Sequence, residues 1–458
     1  MTPIRTIFKN TWQLALAMSL SRLLNTITSF VGILMIGHLG TTSLAASALM
    51  TSTQLTLVIV AMSLLFAVGV MTSRSFGAQK FQQIGAIFQQ GLLIATLVSI
   101  PVMLIMAEIQ PILEFFGQNI ALTAIDQSYF DIYLWLMPPM MWAVCMQQSL
   151  LAVKKQQFVL IMSVFGLMVS IGCGYWFIYG GWGVPAMGIP GLGLAYAIQV
   201  WLSFLIYAAY CSFNASLKVY GFFRWRLGSH WHLLKQLLSI GWPICLQTGS
   251  DLVSFSAVML MVGWLGTTAL AAQQISTQFF ILLVVPIFAV AQASGILIGR
   301  ARGAKDLLDV KRYGNMSLLI GVGFCVIIMA LFVFLPHQLV NLYEGANSNA
   351  NSTLEHLAVT VLMLTGIRLI FDASAEIYAG SLRGLYDTKF PMLALTSITW
   401  IIGMPLAYVF GFTFNWGLVG LTSAGIIVML LNTSVLHLRW RYQCRKLAAN
   451  AITAAAPT

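Results

Sequence analysis

Charge is what this chain has least of. Only 8% of its 458 residues are Asp, Glu, Lys or Arg, while 59% are hydrophobic. That balance excludes a water-soluble globule of this length and leaves a helix bundle whose solvent is lipid. Cysteine is sparse and scattered. Cys145, Cys173, Cys211, Cys245, Cys325 and Cys444 include no CxxC pair, and none falls in an expected outer loop, which argues against a disulfide framework and a thiolate metal site. The sequence also lacks a His/Glu cluster at metal-ligand spacing, a nucleophile motif and a phosphate-binding Gly-rich loop. Enzyme chemistry and ATP as an energy source are therefore not expected, nor is a cofactor.

What the chain has in plenty is apolar runs of about 20 residues, the length that crosses a bilayer as a helix. Twelve are expected, at 12–36, 47–72, 89–108, 129–151, 159–180, 190–213, 238–264, 270–298, 314–335, 355–380, 391–411 and 416–437. Arg5 and Lys9 ahead of the first run resemble a signal peptide. The run is longer than a signal peptide's core, and it reads as the first permanent helix.

Lys and Arg in short loops stay on the cytoplasmic side. Of the 23 basic residues, all but Arg22 and Arg368 fall in alternate segments, among them Arg74 and Lys80, Lys154 and Lys155, Lys218 to Lys235, Arg300 to Arg312, Arg383 and Lys389, and Arg439 to Lys446. The intervening loops hold no basic residue, and the longer two carry only Glu114 and Asp126, or Glu344 and Glu355. Both termini are thus expected in the cytoplasm, with the chain in a bacterial inner membrane as a multi-pass plasma-membrane protein. The net charge of +11 is explained by this topology. It is dispersed over seven segments without a basic domain, so no nucleic acid is expected as a partner.

The chain repeats itself. Residues 37–46 read GHLGTTSLAA and residues 263–272 read GWLGTTALAA, 226 positions apart. The same offset carries Arg74, Gly77 and Ala78 onto Arg300, Gly303 and Ala304, and Gly191 and Leu192 onto Gly417 and Leu418. Each half holds six helices, an even number, so both halves enter the membrane the same way. The expected fold is all-α and integral to the membrane, with twelve transmembrane helices in two six-helix bundles related by a pseudo-two-fold axis along the membrane normal. The bundles cover 1–213 and 237–440, joined by a cytoplasmic linker at 214–236 and followed by a cytoplasmic tail at 441–458. Parallel repeats of this kind serve alternating access around a central site, and a monomer in the lipid bilayer is expected.

Five ionisable side chains fall near the bilayer centre: Arg22 in the first expected helix, Asp251 in the seventh, and Arg368, Asp372 and Glu376 in the tenth. Each costs about 3 kcal/mol or more at the bilayer centre, which marks it as functional by default. The last three are four residues apart and so lie along one helix face. The offset of 226 pairs Asp251 with Asn25, and it sets the amides around Met146, Gln147 and Gln148 against the carboxylates of the tenth helix. The coupling chemistry is therefore expected in the C-terminal half. One arginine cannot neutralise three carboxylates, and the surplus can carry a proton or receive a cation. Pro243, two turns before Asp251, removes a helix hydrogen bond and is the expected hinge.

The double repeat, the GHLGTTSLAA and GWLGTTALAA segments and FDASAEIYAGSLRGLYDTKFPM at 371–392 resemble the multidrug and toxic compound extrusion (MATE) family, NorM-like branch, over nearly the whole chain. The resemblance implies an antiporter, in two six-helix lobes enclosing a V-shaped cavity, that exports small amphipathic organic cations against protons or sodium. It implies that Asp251 and Asp372 serve the cation site, with sodium placed there if sodium is the coupling ion. The sequence departs from the pattern in two respects. The acidic residue of the first helix falls on Gly32 and the asparagines of the fifth on Ser170 and Gly174, while an aromatic position of the tenth is taken by Arg368. The alternative is a flippase of a lipid-linked or anionic substrate held by Arg22 and Arg368.

Overall fold

A computed structural model describes residues 3–37, 53–54, 56–115, 127, 129–181, 185–223, 230–344 and 352–455. Of GHLGTTSLAA only Gly37 lies within them. Asp126, Arg224 and Arg226 lie outside.

Among the described residues twelve long helices follow in order: α1 Ile4–Gly37, α2 Thr56–Gly77, α3 Phe81–Ala107, α4 Met137–Ala152, α5 Gln156–Tyr179 and α6 Ile189–Phe213, then α7 Trp231–Trp264, α8 Thr267–Gly303, α9 Leu307–Phe334, α10 Ser352–Gly384, α11 Lys389–Thr413 and α12 Gly417–Ala455. Eleven are long and apolar enough to span a bilayer. The exception is α4, whose 16 residues reach about 24 Å against roughly 30 Å of hydrocarbon. A 3₁₀ turn at Leu134–Leu136 and helical residues 129–133 precede it, so the run 129–152 fills the expected fourth span. The expected tail is no separate element, because α12 continues through it to Ala455.

α11 is irregular. Its ladder widens to π turns at Ile398–Gly403 and Val409–Thr413, on either side of Met404–Tyr408. Pro405, which has no N–H to donate, sits between them.

The repeat is visible in the backbone. α2 and α8 end alike: Ala78 N donates to Arg74 O and Ala304 N to Arg300 O, and Lys80 N donates to Ser75 O and Asp306 N to Ala301 O. Between them Gln79 and Lys305, 226 positions apart, both turn left-handed at φ 57° and 59°. α4 and α10 also end alike, with Lys155 N on Leu150 O and Asp387 N on Leu382 O, but these are 232 positions apart. Gly191 lies against the Phe177 carbonyl and Gly420 against the Phe410 carbonyl, a separation of 229. The single offset of 226 therefore holds only as far as α2 and α8. Beyond them connecting segments of unequal length shift the register, and Gly191 matches Gly420 rather than Gly417. At 232 positions the counterparts of Asp372 and Glu376 are Met140 and Val144, not the amides at 147 and 148.

By contacts the chain forms two compact units, Leu20–Cys245 and Met1–Ser19 with Leu246–Thr458. α1 divides after Ser19 and α7 after Cys245, whereas the repeat drew the boundary through 214–236. The described part of that segment, through Phe223, belongs to the first unit. Its short helix Ala215–Lys218 is capped by Asn214, and Phe222 and Phe223 lie on Phe88 with ring centres 4.7 and 5.7 Å away.

In the unit Leu20–Cys245 the core gathers Phe88, Tyr129, Phe130 and Leu136. Gln54 bridges two stacked tyrosines there, accepting from Tyr129 at 2.9 Å and donating to Tyr133 at 2.8 Å. In the other unit α8 and α10 approach most closely through small residues. A Cβ on Gly380 would run into the Ala291 carbonyl, and one on Gly384 would stand 2.6 Å from Gly295 O. Buried hydroxyl pairs Ser276–Thr365 and Ser294–Ser381, each 2.8 Å apart, join the same helices, as expected where lipid supplies no hydrophobic drive. Outward, Leu319, Ile327, Leu331 and Phe334 make an exposed apolar stripe on α9, the face a bilayer covers.

Candidate functional site

α10 presents its charges on one side. Arg368, Asp372 and Glu376 follow at single turns, and Arg383 stands two turns past Glu376 on the same face. Arg368 Nε is 3.5 Å from Asp372 Oδ2. The guanidinium lies 5.6 Å from the Phe280 ring of α8, and Gly425 of α12 leaves it space, since a Cβ there would come within 3.4 Å of Nη1. Glu376 Oε2 is 3.8 Å from Arg383 Nη2, and the same nitrogen donates to Gln247 Oε1 of α7 at 3.0 Å.

Asp251 lies one turn beyond Gln247 on α7 and is exposed. Its neighbour Ser250 accepts from Trp400 Nε1 of the first π turn of α11 at 2.9 Å. On α9, Cys325 is buried near Asp372. The opposite side of α10 is structural: Thr433 of α12 donates to Phe371 O at 2.8 Å, and His437 pairs with the Tyr378 hydroxyl at 2.7 Å.

These ion pairs are loose. At 3.5 and 3.8 Å they exceed hydrogen-bond length, and Arg368 Nε, Asp372 Oδ2, Glu376 Oε2 and Arg383 Nε are buried without a hydrogen-bond partner. Buried polar atoms are almost always satisfied. Of the eleven such atoms among the described residues, these four fall on one face of one helix. A proton or a small cation fits such a donor and acceptor set. Among the described residues no three His, Cys, Asp or Glu side chains converge as a metal group.

Of the expected site residues the structure brings together Asp251, Arg368, Asp372 and Glu376. Arg22 and Asn25 lie on the other unit. Arg22 stands over the Phe66 ring at 5.7 Å, and Asn25 is exposed, its carbonyl accepting from Ser29 at 3.4 Å. Pro243 lies in unbroken helix two residues before the division of α7. The departures from the family pattern are packed rather than vacant: a Cβ on Gly32 would meet the Tyr196 hydroxyl, and Ser170 is buried.

Sequence reasoning missed Arg383 and Gln247. Arg383 was counted as a loop charge, although its spacing of seven from Glu376 placed it on the site's face. Gln247 gave no signal beyond its distance of one turn from Asp251.

Long apolar helices in two units, with ionisable side chains gathered among the helices of one, define an integral membrane protein. The chain belongs to the MATE family: the MatE family model matches residues 17–176 and 243–409. It is 29% identical over 423 residues to the probable multidrug resistance protein NorM of Synechococcus sp., covering 91% of this chain and 90% of that one. To its namesake in Synechocystis sp. it is 26% identical, over 94% and 93% of the two chains. Among solved structures it superposes on a MATE transporter in the bent conformation with a TM-score of 0.87 at 16% identity, over 99% and 100% of the chains. With an outward-facing multidrug resistance MATE family transporter the TM-score is 0.86 at 17% identity, over 96% of each. The chain thus has the family's twelve-helix, two-lobe fold.

Proposed function

We propose that this transporter is a secondary antiporter that exports small amphipathic organic cations by alternating access, in exchange for protons or sodium. The observation that carries the reading is the surplus of carboxylates in the C-terminal unit. Among the described residues the ion pairs of the site are Arg368–Asp372 and Arg383–Glu376, so the carboxylate of Asp251 leaves a negative charge for a substrate or coupling ion to meet. Neutralising it by coupling-ion binding favours the state that releases a cationic substrate. The multidrug resistance names of the NorM relatives support small organic molecules as the substrate class.

Protons are the better coupling ion. Arg368 stands 3.5 Å from Asp372, where it repels a bound sodium but can release a carboxylate that becomes protonated. Pro243 serves as hinge, supported by the division of α7 just beyond it. The protein works as a monomer in a bacterial inner membrane with both termini in the cytoplasm, the orientation its basic segments favour. An anionic or lipid-linked substrate is disfavoured, because both arginines of the site already face carboxylates.

The test is ethidium efflux from proteoliposomes under a proton gradient and a sodium gradient imposed separately. Efflux that follows the proton gradient and is lost in Asp251→Asn is expected. Efflux driven by sodium alone would overturn proton coupling, and none under either gradient would overturn cation antiport.

A further inference from the structure

α12 is 39 residues long, almost twice the roughly 20 that cross a bilayer, and its outer face changes character along its length. Leu430, Ser434, Leu438, Arg441 and Arg445 follow one another by three or four residues, so they lie on one face, and all five are exposed. From Gly417 to Leu438 the helix rises about 32 Å, close to the roughly 30 Å of hydrocarbon. The aliphatic part of the stripe thus ends where the hydrocarbon ends, and the two guanidinium groups begin where headgroups begin. Tyr442, also exposed, stands beside them at the depth where tyrosine collects in membrane proteins.

The residues on the other side of the helix are fastened inward. Arg439 Nε donates to Asp387 Oδ2 at 2.7 Å, Gln443 Nε2 donates to the same oxygen at 2.6 Å, and the Phe390 ring lies 4.5 Å from the Arg439 guanidinium. Trp440 is buried, and a Cβ on Gly314 of α9 would run into its ring. These contacts tie α12, past its membrane span, to α9 and to the turn between α10 and α11, and so fix its rotation. Among the described residues no carboxylate pairs with Arg441 or Arg445.

We propose that Arg441 and Arg445 form a binding face for the phosphate of an anionic phospholipid, in the leaflet into which the end of α12 opens. The occupant is lipid because the stripe is continuous: whatever covers Leu438 reaches Arg441 one turn on. Arginine suits that boundary, since its stem lies along acyl chain while its head reaches the phosphate, and basic residues just outside a membrane span attract acidic headgroups. The face does not depend on the coupling ion or on the charges of α10.

The full chain, purified in a neutral detergent and titrated with dioleoyl phosphatidylglycerol or dioleoyl phosphatidylcholine, is weighed with its retained lipid by native mass spectrometry. The wild type is expected to retain phosphatidylglycerol in preference to phosphatidylcholine. Arg441→Gln and Arg445→Gln are each expected to weaken that retention about five-fold. Arg441→Lys with Arg445→Lys keeps most of it, and Lys446→Gln, whose side chain points off the stripe, leaves it unchanged. Both arginines are exposed, so the lipid-free variants are expected to share the wild-type Tm, which separates loss of lipid from loss of fold. Equal retention of the two lipids, or an equal loss in Lys446→Gln, would overturn the proposal. So would inorganic phosphate raising Tm as phosphatidylglycerol does, which would make the face a site for free anions, or a dimer that disappears in the double glutamine variant, which would make it a contact between copies of the chain.

Discussion

Arg368 and Asp372 hold each other at 3.5 Å on the inner face of α10, and this makes their structural and transport roles separable. Replacing Asp372 alone leaves a half-buried guanidinium without its carboxylate, a loss worth about 3 kcal/mol where a buried pair is broken. Replacing both removes the uncompensated charge. Asp372→Asn is therefore expected to lower Tm in detergent and to stop ethidium efflux, whereas Asp372→Asn with Arg368→Gln recovers most of the Tm and none of the efflux. Recovery of both would make the pair merely structural. At this scale the sequence was readable wherever a charge interrupts an apolar run: Arg368, Asp372, Glu376 and Asp251 each stand out against their neighbours. Arg383 was not, because a basic residue at the end of a membrane helix is also what topology demands, and only the packing shows its side chain turned back toward Glu376.

Helices α8 and α10 meet backbone to backbone, and two glycines of the C-terminal unit should respond in opposite ways. At Gly380 an added methyl would meet the Ala291 carbonyl, a backbone group that cannot rotate aside, so Gly380→Ala forces the helices apart at about 1–3 kcal/mol. On α9, Gly323 has nothing within 4 Å of a new Cβ, and Gly323→Ala gains up to about 1 kcal/mol of helix propensity. Thermal unfolding of the two variants in one detergent checks the pair: a fall in Tm for the first, and no change or a rise for the second. A shared direction would mean that the α8–α10 contact is not rigid. All twelve helices were legible as apolar runs, and their ends run past those runs because polar first turns such as Leu307–Arg312 are helical too. The π turns of α11 were not legible, since a widened ladder changes no composition; only Pro405 hinted at it.

For the molecule as a whole, the twofold plan could be read from GHLGTTSLAA and GWLGTTALAA, and its exact register could not. Separations of 226, 232 and 229 accumulate through connections whose lengths are free to differ, so one offset was extended past the point where it holds. The correction sharpens the asymmetry between halves, setting apolar Met140 and Val144 against Asp372 and Glu376. The division of the units has a further consequence. α1 changes unit after Ser19 and α7 after Cys245, and these two positions are themselves 226 apart. Fragments 1–223 and 224–458, made alone, are each expected to be degraded and, made together, to accumulate; stable separate fragments would contradict the division. If the two halves descend from one duplicated gene, its six-helix product already had its opening helix built into a neighbour, so that the ancestor was a pair of copies trading half a helix and the later fusion only tied together partners that could not live apart.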